Sequence, residues 1–291
     1  MKKIRKAVIP AAGLGTRILP ASKATPKEML PIVDKPAIQY IVEEAVQAGI
    51  EEILIITNRG KGVIEDHFDH SIELEHALKN SKKYQQLEQV ERLANLANIT
   101  FIRQGVTGGL GHAILKAKAW VDDEPFAVLY GDDVIIGETP AIGELAEVYE
   151  QYGLGVAGVK KVSKEQITKY CSLDVEMVSD TVMKVTDMIE KPSPYQIMSL
   201  YSILGRVILP PKIFEILENI PKGAGNELQL TDAMRVLARN DGMMGIEFSG
   251  TRYDMGNKLS FMQANVEMSL KNADFGEEFK KYIKDLAKTL D

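Results

Sequence analysis

The chain has 291 residues, 45 % of them hydrophobic and 26 % charged, which suits a globular protein of one large or two small domains. Its 35 Lys and Arg stand against 41 Asp and Glu, a net charge of −6 with no basic block, and this argues against nucleic acid as a partner. One cysteine, Cys171, excludes an intrachain disulfide and fits a reducing cytoplasm, while the basic start Met1-Lys2-Lys3-Ile4-Arg5 leads into too few apolar residues for a signal peptide or a membrane span.

The apolar run 7–9 reads as a first buried strand, and Ala11-Ala12-Gly13-Leu14-Gly15-Thr16-Arg17 follows it. Two glycines let the backbone bend close to a ligand and aim N–H groups at phosphate oxygens. Arg17 adds a planar fork of donors, and Lys27, within Pro26-Lys27-Glu28-Met29-Leu30-Pro31, adds a compact cation. Such a glycine turn can also be plain turn chemistry; the basic residues at its two ends favour a phosphate site. A dinucleotide fingerprint needs a third glycine where this chain has Ile18, and no Gly-Lys-Ser/Thr triplet occurs, so neither of those phosphate loops is present.

Further along, Ile38, Ile41, Val42, Ala45 and Val46 fall on one helical face, with Gly49 just past its end. Residues 53–57 read as a strand buried on both faces, 61–97 as polar and mostly helical, 99–102 as a strand, 111–120 as a helix and 126–130 as a strand. This succession predicts a largely parallel sheet with helices on both faces. Ligands of such sheets sit at the carboxyl ends of the strands, where the 11–17 loop, Gln104 and Asp132 lie. Beyond residue 150 the pattern becomes strand-rich (153–159, 174–178, 182–189, 203–209), which predicts antiparallel additions, and helical signals return at 211–219, 230–240 and 258–272. We read one continuous domain over 1–291, with a first half 1–150, a second lobe 151–260 and a C-terminal helical region 261–291, of which 275–290 offers an interface.

Several residues stand out as chemistry-bearing. Tyr130-Gly131-Asp132-Asp133 ends a strand beside the loop; carboxylates so placed are suited to a hard cation such as Mg²⁺, and equally to a chain-reversing turn. Asp254, in Arg252-Tyr253-Asp254, could supply a second carboxylate. Glu190-Lys191-Pro192 ends a strand, and Gln104 offers an amide donor and acceptor able to match the edge of uracil or thymine, although each reads by itself as an ordinary surface position. His67 and His70 have no strong ligand neighbours and read as a solvated face.

These motifs, in this order, resemble the bacterial UTP–glucose-1-phosphate uridylyltransferases within the sugar-1-phosphate nucleotidylyltransferases. The resemblance spans almost the whole chain. Besides the loop and the 26–31 segment it includes Asp34-Lys35-Pro36, Glu65-Asp66-His67-Phe68-Asp69, Arg103-Gln104, Gly109-Leu110-Gly111-His112, Gly131-Asp132-Asp133, Glu190-Lys191-Pro192, Gly205-Arg206, Gly223-Ala224-Gly225-Asn226-Glu227, Gln229-Leu230-Thr231-Asp232-Ala233 and Arg252-Tyr253-Asp254.

The resemblance implies a Rossmann-like three-layer α/β/α nucleotidyltransferase core with a mostly parallel mixed central sheet and a smaller sugar-binding lobe. It implies that UTP and glucose 1-phosphate give UDP-glucose and pyrophosphate. Backbone at Ala11, Ala12, Gly13, Leu14 and Gly15 would hold the nucleotide, while Gln104 and Gly109 would read the base. Asp132 and Asp254 would ligate Mg²⁺, Glu190 the glucose hydroxyls, and Lys191 the phosphates, with Arg17 and Lys27 facing the departing pyrophosphate. The partners expected are these small molecules and further copies of the chain, as a dimer or tetramer, in the cytoplasm.

Two positions depart from the family pattern on the sugar side. Cys171 stands where a glycine is usual, and Leu200 where an Asn is usual. The Cys171 side chain either points away, leaving its N–H for the sugar, or intrudes; the retained Glu190-Lys191 pair favours the first. The competing readings are a different sugar 1-phosphate or a dTTP preference, and a weakly active nucleotide-binding paralogue.

Overall fold

The structure is a computed structural model that describes residues 3–290; Met1 and Lys2, the start of the basic N-terminal stretch, and Asp291 lie outside the described residues. Thirteen strands occur among the described residues: β1 (Lys6–Pro10), β2 (Pro31–Ile32), β3 (Lys35–Pro36), β4 (Glu52–Thr57), β5 (Asn98–Arg103), β6 (Phe126–Leu129), β7 (Asp133–Ile136), β8 (Gly155–Lys161), β9 (Cys171–Met177), β10 (Val182–Glu190), β11 (Tyr201–Leu209), β12 (Met243–Glu247) and β13 (Thr251–Asp254). Nine of them form one sheet in the order β5-β4-β1-β6-β11-β8-β12-β10-β9, while β13 pairs with β7 and β2 with β3. Only β10 and β11 run against the other strands of the large sheet, so it is mostly parallel in sense; the expected antiparallel additions come from the second half, and one of them, β11, pairs with β6 of the first half.

Alternation along the central strands fills both faces. Val8, Leu54, Ile56 and Val128 join one apolar cluster, under the helices Leu110–Leu115, Lys212–Asn219 and Leu230–Asn240. Ala7, Ile9, Ile53, Ile55 and Ala127 join the other, under Ala37–Gln47 and Ala141–Tyr152. A side-chain period of two with both faces apolar requires a helical layer on each side, which is why these strands read as unbroken apolar runs.

The helix Ala37–Gln47 buries Ile38, Ile41, Val42 and Ala45 as its spacing predicts, with Val46 at the edge and Gly49 at φ 80° just beyond. The polar stretch after β4 folds into the helices Gly62–Phe68, Ile72–Asn80 and Tyr84–Ala94. The expected helix 111–120 is broken into Leu110–Leu115 and Lys118–Val121, because the N–H groups of Lys116, Ala117 and Trp120 bond back three residues and tighten the join. Gly276–Ala287 closes the chain. No helix among the described residues is long and apolar enough to cross a membrane.

A bulge between Val185 and Asp187 releases the ribbon of β9 and β10 from strict register. Its end carrying Cys171 and Glu190 lies against β11, where Ile203 N–H donates to Cys171 Sγ at 3.3 Å. The ribbon is further held by Asp187, which receives Arg235 Nε at 2.7 Å and Arg239 Nη2 at 2.7 Å from the helix Leu230–Asn240.

Candidate active site

Loops from the carboxyl ends of β1, β4, β5 and β6 meet on one edge of the sheet. Those from β1, β5 and β6 line a cleft of about 400 Å³, with Ala12 to Thr16, Lys27, Gln104, Gly109, Tyr130 and Asp132 among its walls. Ala11 is anchored twice. Its N–H reaches Ile56 O at 2.8 Å, and its carbonyl accepts from Lys61, which also bonds Glu28 at 2.8 Å. Glu28 and Lys61 are almost fully buried. Burial raises the Glu28 pKa against the pull of Lys61, and lowers that of Lys61 against Glu28. This pair fixes the loop to the Lys27 segment, so Lys61 is a positioning side chain. Its signal in the sequence is the Gly60-Lys61-Gly62 step just past β4, at the ligand edge.

At one end of the cleft, cations and carboxylates from distant segments converge. Lys27 Nζ bonds Asp132 Oδ2. Arg17 sends Nη1 to Asp254 Oδ2 at 3.2 Å and Nη2 to Asp132 Oδ2 at 3.6 Å. Burial works against the Lys27 ammonium, yet Asp132 and Glu28 hold its pKa above the usual lysine value. Burial likewise opposes ionisation of Asp132, and Lys27, Arg17 and Arg252 outweigh it, so its pKa is lowered.

Asp254 reaches this place because β13 pairs with β7, setting Asp254 opposite Asp133. Its Oδ1 accepts from Gly256 N–H at 2.8 Å, and Tyr170 OH donates to its Oδ2 at 3.4 Å. Asp133 ion-pairs with Arg252 at 2.5 Å, but burial, then Asp132 and Asp254, push its pKa up to about 6. Asp133 fits under β11 because Gly205 has no side chain; a Cβ there would stand 2.6 Å from the Asp133 Cβ, and its φ of 77° favours glycine.

At the other end, Gln104 is 6 % exposed, and its Nε2 lies 3.1 Å from both Gly109 O and His112 Nδ1. Gly109 adopts φ 97°, and a Cβ would meet Glu227 Cβ and Leu228 O at 2.7 Å. Glycine is therefore required for the 223–229 segment to close against Gly109 and Gly111, where Gly111 N–H bonds Leu228 O at 2.8 Å.

Glu190, Lys191 and Cys171, expected to face the sugar, are not among the walls of this cleft, although, after burial itself, Cys171 and Glu190 are near enough to help raise the pKa of Tyr130. Glu190 Oε2 accepts from Thr231 Oγ1 at 2.9 Å, and burial raises its pKa despite Thr231 and Lys191. Lys191 is exposed, with φ 46°, and its N–H bonds Tyr170 O at 2.7 Å. The Cys171 side chain is turned into the core, 3.5 Å from Ser202 Oγ, and burial pushes its thiol up to about 11.

The convergence of Asp132 Oδ2 and Asp254 Oδ2 on one guanidinium shows that both carboxylates already face a common positive charge. That donor set fits a hard cation. No three His, Cys, Asp or Glu among the described residues form a ready-made cage, so substrate oxygens and water would complete the coordination. Sequence reasoning brought Arg17, Lys27, Asp132 and Asp254 together correctly as a group of charges. It gave no role to Lys61, Tyr170 or Arg252, which position them, and it weighed Asp133 only beside Asp132 as a cation carboxylate, whereas here Asp133 pairs with Arg252.

The Nucleotidyl transferase family profile matches residues 6–270. A Bacillus subtilis (strain 168) protein named UTP–glucose-1-phosphate uridylyltransferase YngB is 50 % identical over 287 residues, covering 99 % of this chain and 97 % of its own. A UTP-bound UGPase from Acinetobacter baumannii superposes with a TM-score of 0.90 at 37 % identity, covering 97 % of this chain and 99 % of that one. A UDP-glucose pyrophosphorylase complexed with UDP-glucose gives a TM-score of 0.84 at 39 % identity over 92 % of this chain and all of its own.

Proposed function

The chain belongs to the nucleotidyl transferase family and, within it, to the UTP–glucose-1-phosphate uridylyltransferases, and we propose that it transfers the uridylyl group of UTP to glucose 1-phosphate, giving UDP-glucose and pyrophosphate. The observation that carries this reading is the cluster of Arg17, Lys27, Asp132 and Asp254 at one end of a cleft whose other end is the buried Gln104 amide. One end suits a triphosphate and the other a pyrimidine.

We assign the nucleotide to the first half, 1–150, with the Ala11–Gly15 backbone along the phosphates and Gln104 and Gly109 at the base. The second half, 151–260, contributes Glu190 to the sugar hydroxyls, Lys191 to the phosphates and the Cys171 backbone beside the sugar. A Mg²⁺ ion held by Asp132 and Asp254 would neutralise charge on the reacting phosphates. The phosphate oxygen of glucose 1-phosphate is already anionic at pH 7, so attack on the α-phosphorus in line requires no general base. The rest is positioning and charge. Arg17 and Lys27, paired with the two carboxylates in the free chain, exchange them for the phosphate oxygens of the leaving pyrophosphate. Lys191 steadies the incoming sugar phosphate.

The lone Cys171 supports a cytoplasmic location. Exposed Leu259, Met262, Tyr282 and Leu286 on the C-terminal helices are the apolar surface that a homo-oligomer would bury.

Pyrophosphate release, measured for UTP, dTTP, CTP, ATP and GTP with glucose 1-phosphate and with other hexose 1-phosphates, tests the assignment. UTP with glucose 1-phosphate should be fastest, and dTTP partly accepted because one methyl gives modest discrimination. ATP turning over as fast as UTP would refute the role of Gln104. No release from any pair would leave the nucleotide-binding paralogue.

A further inference from the structure

A primary amide reads a base only if something decides which of its ends faces the ligand. In Gln104 the decision is made twice. Nε2 lies 3.1 Å from Gly109 O, and a backbone carbonyl can only accept, so this end of the amide is the NH₂. Its second hydrogen points to His112 Nδ1, also at 3.1 Å. Both N–H groups are thereby spent, and Oε1, with no hydrogen-bond partner among the described residues, is the amide atom left for a ligand in the cleft that Gln104 lines. The Gly109 carbonyl alone would leave the amide plane free to swing about its broad terminal torsion; a second acceptor on the other hydrogen locks it.

We propose that His112 is a positioning residue for base selection, holding Gln104 Oε1 toward the base so that it accepts the N3–H of uracil and repels the bare N3 of cytosine. This rests on the uridylyl-transfer reading above. Gly108 makes the arrangement possible, since a Cβ there would stand 3.0 Å from the His112 ring. The ring must be neutral for Nδ1 to accept, and burial, with Lys116 and Lys222, lowers its pKa in that direction.

The test compares wild type, His112→Leu and His112→Asn, whose Oδ1 takes the place of Nδ1, by kcat/KM for UTP and for CTP at saturating glucose 1-phosphate. His112→Leu should lower the UTP-to-CTP preference by roughly three- to tenfold, as for one lost hydrogen bond. The change should lie in the KM for UTP, with the KM for glucose 1-phosphate unmoved. His112→Asn should restore most of the preference, which a merely structural role would not do. His112 is only half-buried, so the variants should fold; if His112→Leu does not melt cooperatively, His112→Ala makes the same comparison. An unchanged preference in the apolar variant, or an equal loss in His112→Asn, overturns the proposal. A wild type that releases no pyrophosphate from UTP overturns the functional reading instead, and shows it before any variant is made.

Discussion

Arg206 and Arg252 both hold Asp133, one by its backbone and the other by its side chain, and they are satisfied to different degrees. Arg206 is wholly buried, pairs with both oxygens of Glu44 at 2.9 and 2.6 Å, and gives Nη1 to the carbonyls of Asp133 and Gly205 at 2.9 and 3.0 Å. Glu44 completes the set by accepting from Ile142 N–H at 3.0 Å. Arg252 spends one nitrogen on Asp133 and another on Tyr170 OH, while its buried Nε has no hydrogen-bond partner among the described residues. A complete buried network rigidifies, whereas an incomplete one beside a cleft leaves electrostatic potential for a ligand. The start of β7 is thus gripped from behind by structure and from the front by chemistry.

The sharpest way to break this contrast is to change one member of each side. Asp132→Asn keeps the shape and removes a charge from the front cluster; turnover should fall by more than about 10³-fold, as for a lost cation ligand, with the thermal melt nearly unchanged. A melt that drops with the activity would make the front cluster structural. Arg206→Met should do the reverse. It strands Glu44 in the interior and should cost about 3–5 kcal/mol in chemical denaturation, while the folded fraction keeps turnover within about tenfold. Equal loss of activity at low temperature would erase the distinction.

Arg17→Ala sharpens the front side further. Arg17 is largely exposed yet reaches two carboxylates, so stability should hardly move, and kcat should fall by roughly two to three orders of magnitude, as when a preorganised charge donor is lost. An unchanged kcat would place Arg17 outside the chemistry. The smallest effect belongs to Cys171→Gly. Because the thiol packs against Ser202 and Ile203, its loss should cost about 1–2 kcal/mol of stability through a small cavity and a freer backbone, with the KM for glucose 1-phosphate changed less than about threefold. A tenfold fall in that KM would show that the cysteine obstructs the sugar.

How far this contrast could be read from the sequence follows from how local its parts are. β1, β4 and β6 are continuous apolar runs followed by glycine or polar turns, so the parallel core and its ligand edge were legible. So was the convergence of Arg17, Lys27, Asp132 and Asp254, through the resemblance of ordered motifs. β12, Met-Met-Gly-Ile-Glu, was not, because glycine and methionine carry little strand preference. Nor was β13, a four-residue strand whose partner, β7, lies in the other half of the chain. With that pairing invisible, Arg252 and Asp133 had no reason to meet. Asp254 likewise lies in a sequence half assigned to the sugar, yet folds onto Arg17 of the glycine loop after β1. Lys61 and Glu44 were hidden because their partners are a backbone carbonyl and charges 33 and 162 residues away.

Thermal stability with and without UTP and Mg²⁺, in wild type, Asp132→Asn and Arg206→Met, tests the front-and-back account most directly. At about 100 times its Kd, the nucleotide should stabilise the wild type by about 2.7 kcal/mol. Arg206→Met should show the same increment from a lower starting temperature, and Asp132→Asn should lose the part that depends on Mg²⁺. An Mg²⁺-dependent shift as large in Asp132→Asn as in wild type would contradict the account.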